Sequence, residues 1–178
     1  KAFCFNEQGT GKTASVIWAT DYLMSVGVIR RVLIVCPLSI MTSAWQADLF
    51  KFALHRSVSV AYGSARKRKE ILAAGSEYVV VNFDGVQILK NEIINGKFDL
   101  VVIDEASAYK NAQTDRWRTM RDICRQVKGL WMLTGTPAAQ SPTDAYGLAK
   151  LVNPDGVPKF FGMFRDQVMF PVTQYRWT

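Results

Sequence analysis

Asn6-Glu7-Gln8-Gly9-Thr10-Gly11-Lys12-Thr13 ends in Gly-Lys-Thr, a spacing of residue types suited to holding the phosphates of a nucleotide. Gly9 and Gly11 let the backbone turn tightly and aim its N–H groups inward, Lys12 reaches the β/γ-phosphates, and the Thr13 hydroxyl is placed to ligate magnesium. Thr10 completes the expected cofactor-binding set. The generic pattern has a glycine where this chain has Asn6. A second run, Asp99-Leu100-Val101-Val102-Ile103-Asp104-Glu105, sets two carboxylates directly after four apolar residues. Such a pair fits nucleotide hydrolysis: Asp104 to hold Mg²⁺, usually through water, and Glu105 to orient and deprotonate the water that attacks the γ-phosphate. Taken singly, the first run is also a Gly-rich turn before an ordinary helix, and the second a solvated strand end. Together they form a matched set with Lys12 and Glu105 as catalytic residues, Thr13 and Asp104 as metal-binding residues, and ATP and Mg²⁺ as cofactors.

These residues need a scaffold that brings them to one place. Ala2-Phe3-Cys4-Phe5 reads as a short buried strand, and Thr13 to Val26 as a helix with Val16, Ile17, Leu23 and Met24 at helical spacing, its positive N-terminal end toward the phosphates. Leu100 to Ile103, apolar without alternation, fits a strand buried on both faces, as in a parallel sheet. In open α/β sheets ligands bind at the C-terminal edge of the strands, which sets Asp104 and Glu105 near the loop that carries Lys12. Further strands are expected at Val32 to Cys36, Val58 to Tyr62, Tyr78 to Asn82 and Gly129 to Leu133. Helices are expected near Met41 to Phe52, Ala65 to Ala74 and Thr114 to Val127. The alternation predicts an α/β fold, a mostly parallel sheet covered by helices on both faces. The strand order is not legible from the pattern.

The continuation Asp104-Glu105-Ala106-Ser107-Ala108-Tyr109-Lys110-Asn111, and later Leu133-Thr134-Gly135-Thr136-Pro137, resembles the first RecA-like lobe of a superfamily 2 helicase, specifically the Swi/Snf-type double-stranded DNA translocases. Val32-Leu33-Ile34-Val35-Cys36-Pro37-Leu38-Ser39, with Trp45 and Phe52 after it, is similar to a further motif of that family. The resemblance runs from about residue 2 to about residue 155. It implies a RecA-like P-loop NTPase fold and coupling residues Thr134, Gly135 and Thr136 that hydrogen-bond to the Asp104-Glu105 segment. It also implies double-stranded DNA as partner, held at Pro37, Ser39, Asn82 and Asp84 in loops after strands, where phosphates are gripped without reading bases. Ser107 stands where the family usually has histidine, which leaves the coupling between the ATP site and the third motif in question. Asn6 and Gln8 replace the family's more frequent Asp and Met. Family motors close a second RecA-like lobe over ATP, so residues 1–155 read as the ATP-binding lobe and 156–178 as an aromatic-rich extension leading toward that second lobe.

Composition agrees. A chain of 178 residues, 49% hydrophobic, suits one globular α/β unit. Neither a membrane-spanning run nor a secretory leader is visible, which points to cytoplasmic residence, or to the nucleoid or nucleus. Cys4, Cys36 and Cys124 are widely spaced and read as reduced core thiols, and His55 as a surface residue without ligand-like neighbours. The net charge of +7 suits a polyanionic partner. The basic runs Arg66 to Lys69 and Arg116 to Arg125 read as solvated helix faces, and Trp45, at helical spacing with Leu49 and Phe52, as core rather than a base-stacking residue. The aromatic tail, Phe160 to Trp177, would expose apolar surface unless covered. Two alternatives stand beside the DNA translocase. An RNA helicase lobe would carry Ser-Ala-Thr where this chain has Thr-Gly-Thr, and a non-catalytic nucleotide- or DNA-binding module would not need Glu105.

Overall fold

The computed structural model of the chain describes residues 1–5, 9–138, 140–173 and 176–177. Asn6 and Gln8 lie outside the described residues. Six strands, β1 (Ala2–Cys4), β2 (Val32–Cys36), β3 (Val58–Val60), β4 (Tyr78–Asn82), β5 (Leu100–Ile103) and β6 (Gly129–Leu133), pair in parallel throughout in the order β1-β6-β5-β2-β4-β3. The register is tight at the centre, where Ile34 lies between Val80 and Val102. β2, β4 and β5 are buried along their whole length, the condition for uninterrupted apolar strands in a parallel sheet.

Side-chain alternation along the strands divides the interior into two cores. Leu33, Val35, Val79, Val81, Val101, Ile103 and Met132 face one layer of helices. That layer comprises α3 (Ala65–Ala73), α4 (Phe83–Ile88), α5 (Lys90–Asn95), α6 (Asp115–Cys124) and α7 (Ala145–Val152). Ile34, Cys36, Tyr78, Val80 and Val102 face α1 (Lys12–Ser25) and the segment Met41 to Phe52. The expected α/β architecture with helices on both faces is therefore the observed one. α1 anchors the second core through Ile17 and through Thr20, whose hydroxyl bonds back to the Val16 carbonyl and meets the Tyr78 hydroxyl at 2.9 Å.

Several elements differ from the sequence reading, each for a physical reason. β1 is an edge strand among the described residues, paired only with β6, so Ala2 and Phe5 are exposed rather than buried. The strand at Val58 ends at Val60, leaving Tyr62 exposed. The single helix expected over 41–52 is two pieces, a π-helical stretch (Met41–Gln46) and α2 (Ala47–Phe52), preceded by a 3₁₀ turn (Leu38–Ile40). Met41, Trp45, Leu49 and Ala53 recur every four residues and are all buried, a spacing that the wider π turn brings into line better than a regular α-helix does. α6 is shorter than expected, starting where the Thr114 hydroxyl accepts the Trp117 N–H at 3.2 Å and ending at Cys124. Helix α4 occupies Phe83–Ile88, where the sequence reading had a loop at Asn82 and Asp84, and α5 occupies Lys90–Asn95, where it had no element.

After α7 the chain forms α8 (Phe161–Val168) and a short antiparallel hairpin, β7 (Pro171–Thr173) with β8 (Arg176–Trp177). Tyr146 of α7 joins this tail to the lobe. Its ring packs on Phe161 and Phe164, and its hydroxyl donates to the Lys159 carbonyl at 2.9 Å. Phe160, Met163 and Phe170 nonetheless remain exposed, as the composition of the tail predicts. No helix among the described residues is long and apolar enough to cross a membrane.

Candidate functional site

Parallel pairing sends every strand's C-terminal end to one edge of the sheet, and the candidate residues gather there. Lys12 and Thr13 open α1, directly after the loop that leaves β1. Gly9 and Gly11 have φ of 76° and 78°, a left-handed backbone that L side chains rarely adopt. A Cβ built on either glycine meets nothing within 4 Å, so the backbone at these two positions borders open space. α1 has no acidic residue in its first turn, so the positive end of the helix meets no carboxylate from that turn.

β6 lies between β1 and β5, so the phosphate-loop strand and the strand ending in Asp104 are two interstrand spacings apart, roughly 10 Å. Asp104 is 9% exposed and its carboxylate is held on both sides. Oδ1 accepts the Glu105 backbone N–H at 2.9 Å, and Oδ2 accepts the indole N–H of Trp45 at 3.0 Å. The Asp104 N–H donates to the Val35 carbonyl at 2.8 Å, locking the end of β5 to β2. Beside it, burial and the Asp104 charge push the Cys36 thiol up to about 12, so this cysteine stays a protonated core residue. Glu105 adopts φ 52°, ψ 53°, one of two non-glycine residues with positive φ among those described. Such strain is tolerated where the surroundings over-determine it and is common at functional sites. Its carboxylate is half-buried and accepts no hydrogen bond from any described residue, which leaves it available to a solvent molecule.

These donors fit the groups that the sequence implies. A Gly-rich loop followed by a helix N-terminus suits phosphate. One restrained carboxylate and one threonine hydroxyl suit Mg²⁺, which keeps most of its waters and takes further oxygens from substrate phosphate. No cluster of three or more His, Cys, Asp or Glu that could hold a metal by itself occurs among the described residues.

The third motif is placed differently from expectation. Thr134 is fully buried, and its hydroxyl accepts the Thr136 N–H at 3.2 Å while its own N–H donates to the Cys4 carbonyl at 3.1 Å. Its side chain thus holds its own turn and ties β6 to the strand before the phosphate loop, rather than bonding to Asp104-Glu105. Thr136 and Pro137 of the third motif and Glu105, Ser107 and Lys110 of the acidic segment line one cleft of about 420 Å³. Ser107, in the position usually held by histidine, opens onto that cleft.

The expected nucleic-acid residues divide. Pro37 ends β2, and Ser39 is exposed in the 3₁₀ turn that follows, its carbonyl accepting the Ser43 hydroxyl at 2.9 Å. Asn82 is only 7% exposed, and its Oδ1 is taken by the Arg68 guanidinium at 3.0 Å. Asp84 is exposed in the first turn of α4 and pairs with Arg116 at 3.0 Å. Arg116 also lies over the Phe83 ring, 5.3 Å from its centroid. Arg68 and Arg116, read from sequence as parts of solvated helix faces, therefore converge on this edge. Only the placement of α3 and α6 beside the end of β4 brings the two together. Trp45 is likewise core, as expected, but its bond to Asp104 carried no sequence signal. His55 is on the surface and does have a charged neighbour, Asp21, at 2.9 Å.

A RecA-like α/β fold is the class that this sheet defines, and comparison with known proteins narrows it. The family model of the SNF2-related domain matches residues 3–176, and the chain belongs to that family. Among curated relatives, the "Uncharacterized ATP-dependent helicase MG018" of Mycoplasma genitalium is 30% identical over 169 residues, covering 91% of this chain and 16% of that protein. The "ATP-dependent helicase FUN30" of Saccharomyces cerevisiae is 28% identical, covering 84% of this chain and 14% of its own length. The chain thus spans about a sixth or less of these relatives. Among solved structures, the Sulfolobus solfataricus SWI2/SNF2 ATPase core in complex with dsDNA superposes with a TM-score of 0.80 at 23% identity, over 93% of this chain and 33% of that one. The same core domain in a second structure gives 0.74 at 24% identity. These superpositions establish the RecA-like fold.

Proposed function

We propose that this chain is the ATP-binding lobe of a DNA-dependent ATPase that couples hydrolysis to movement on double-stranded DNA. The observation that carries the reading is the convergence, at one sheet edge, of the left-handed glycines Gly9 and Gly11 with a restrained Asp104 and a Glu105 whose carboxylate accepts no hydrogen bond from any described residue. Gly9, Thr10, Gly11 and Lys12 hold the phosphates, with the amides of the loop and the first turn of α1 facing negative charge. Thr13 and Asp104 hold Mg²⁺, which when bound neutralises phosphate charge and fixes the orientation of the phosphates. Glu105 accepts the proton of the attacking water. Lys12 stabilises charge that builds on the phosphate oxygens in the transition state.

The DNA partner is supported by the family and by the edge chemistry. Ser39 presents a hydroxyl and backbone beside β2, and Arg68 and Arg116 bring two guanidinium groups to the end of β4. We assign phosphate contact to Ser39, Arg68 and Arg116. Asn82 and Asp84 serve mainly to orient those arginines. This arrangement reads phosphates and not bases. In this reading turnover needs a second RecA-like lobe that supplies a further cation to the transition state, and the aromatic-rich extension 156–178 is assigned as the segment leading toward it. An enzyme that works on DNA belongs where DNA is, in the cytoplasm or nucleoid of a bacterium or archaeon, or in a nucleus.

The test is equilibrium binding of Mg·ATP to the wild-type chain and to Lys12→Ala. Loss of a charge-assisted contact to phosphate is expected to weaken binding by about tenfold to 100-fold. Equal affinity for both forms would remove Lys12 from the site and the reading with it.

A further inference from the structure

We propose that Trp45 is a positioning residue for the magnesium-holding carboxylate: its indole N–H sets the orientation in which Asp104 meets the metal. The inference rests on the ATP-site reading above and names a part of that site which the sequence did not show.

The geometry of two buried tryptophans makes the point by contrast. Trp117, 5% exposed, satisfies its indole N–H on the Gly147 carbonyl at 2.8 Å, the ordinary solution for a buried ring with a polar tip. Trp45 is fully buried and donates instead to the side chain of Asp104, 59 residues away in sequence, at 3.0 Å. A hydrogen bond to an ionised carboxylate is stronger and more directional than one to a neutral carbonyl. With the Glu105 N–H on Oδ1 and the indole N–H on Oδ2, the plane of the carboxylate is fixed, and each oxygen keeps a lone pair for the open side. The ring cannot easily move, because Met41 and Trp45 of the π-helical stretch and Leu49 of α2 are all buried in the core on this side of the sheet. Single π turns inside helices are frequent at functional sites, and here the local geometry is what carries the indole to the end of β5. Partners of this kind, one bond removed from a metal, raise affinity by holding the ligand in the conformation it needs when loaded.

The experiment uses Trp45→Phe, which keeps an aromatic ring in the core and removes the donor. Nucleotide affinity is measured with a fluorescent ADP, first in EDTA and then as Mg²⁺ is added. In EDTA the variant is expected to match wild type, because the phosphate loop is untouched. The Mg²⁺ concentration at the midpoint of the affinity gain is expected to rise about tenfold or more, the usual cost of losing such a partner. A merely structural role for Trp45 would lower thermal stability and affect both conditions alike.

A second measurement needs no change at this position. The chain has five tryptophans, and the Trp45 indole N–H signal is assigned in ¹⁵N-labelled protein by elimination using single Phe variants at Trp18, Trp117, Trp131 and Trp177. Adding Mg²⁺ to the ADP-bound wild type is expected to shift that signal. An unchanged Mg²⁺ midpoint in folded Trp45→Phe, or an indole signal that does not move on Mg²⁺ addition, overturns the proposal even where nucleotide binding is intact. Absence of nucleotide binding in the wild type would instead overturn the ATP-site reading on which it stands.

Discussion

Glu105→Gln is expected to leave Mg·ATP binding by this chain within a few-fold of wild type and, in the chain followed by a second RecA-like lobe, to lower DNA-stimulated turnover by about 100-fold to 10,000-fold, the usual worth of a positioned general base. The substitution is nearly isosteric and removes only the capacity to accept a proton. Glu105 touches no described hydrogen-bond donor through its carboxylate, so no structural bond is broken. Its positive φ is imposed by the backbone between β5 and the 3₁₀ turn Ala106–Tyr109, and glutamine bears that strain equally. Thermal stability should therefore be unchanged, which separates this variant from one that damages the site by unfolding it. The check is paired, with steady-state hydrolysis for turnover and a nucleotide titration for binding. Unchanged hydrolysis would take the base role away from Glu105. Loss of binding together with turnover would mean that the carboxylate belongs to the phosphate or metal shell.

Gly147→Ala is expected to destabilise the fold by about 3 kcal/mol or more, the scale of overpacking against atoms that cannot yield. For a domain of this size that corresponds to a fall in Tm of about 6–12 °C. A Cβ at position 147 would lie 2.2 Å from the Lys110 carbonyl oxygen and 2.5 Å from that of Tyr109. Both are backbone atoms, and Tyr109 is fully buried against the Phe83 ring, so the segment has little room to retreat. Moving α7 outward instead would break the bond from Trp117 to the Gly147 carbonyl and loosen the packing of Leu148 and Leu151. The clash falls on the residues that follow Asp104-Glu105, so the acidic loop would lose support together with stability. Urea unfolding of the two forms measures the effect. A difference below about 1 kcal/mol would show that this close approach is not needed by the fold.

The two predictions also mark what could be read from residues alone. Motif chemistry was legible because it is local. The glycines of the phosphate loop, Lys12 at the helix start and two carboxylates at the end of an apolar strand each declare their role through residue type and spacing. Central strands were legible for the same reason: Val32 to Cys36, Tyr78 to Asn82 and Leu100 to Ile103 are apolar runs buried on both faces, and their limits match the structure residue for residue. Strand order was not, since it depends on which neighbour each strand selects. β1 looked buried because its residues are apolar, yet its place at the edge leaves one side open.

What escaped the sequence was contact between distant segments. Gly147 is an isolated glycine in a helix, and nothing in its neighbours announces that two carbonyls lie against it. Trp45 carried a core signature, correctly, but its polar tip has no periodicity to betray the bond to Asp104. Thr134 was expected to reach the acidic motif, and its hydroxyl is instead used within its own turn, while Thr136 and Glu105 line one cleft. Arg68 and Arg116 each sit among other basic residues on amphipathic helices, so their selection as edge residues is a result of helix placement.

The central claim is most directly tested by steady-state ATP hydrolysis, with and without duplex DNA, by the 178-residue chain and by the same chain followed by a second RecA-like lobe. The account predicts Mg·ATP binding with negligible turnover for the single lobe, and hydrolysis stimulated by duplex DNA once the second lobe is present. Hydrolysis by the two-lobed protein that duplex DNA does not stimulate, or full DNA-stimulated turnover by the single lobe, would contradict it.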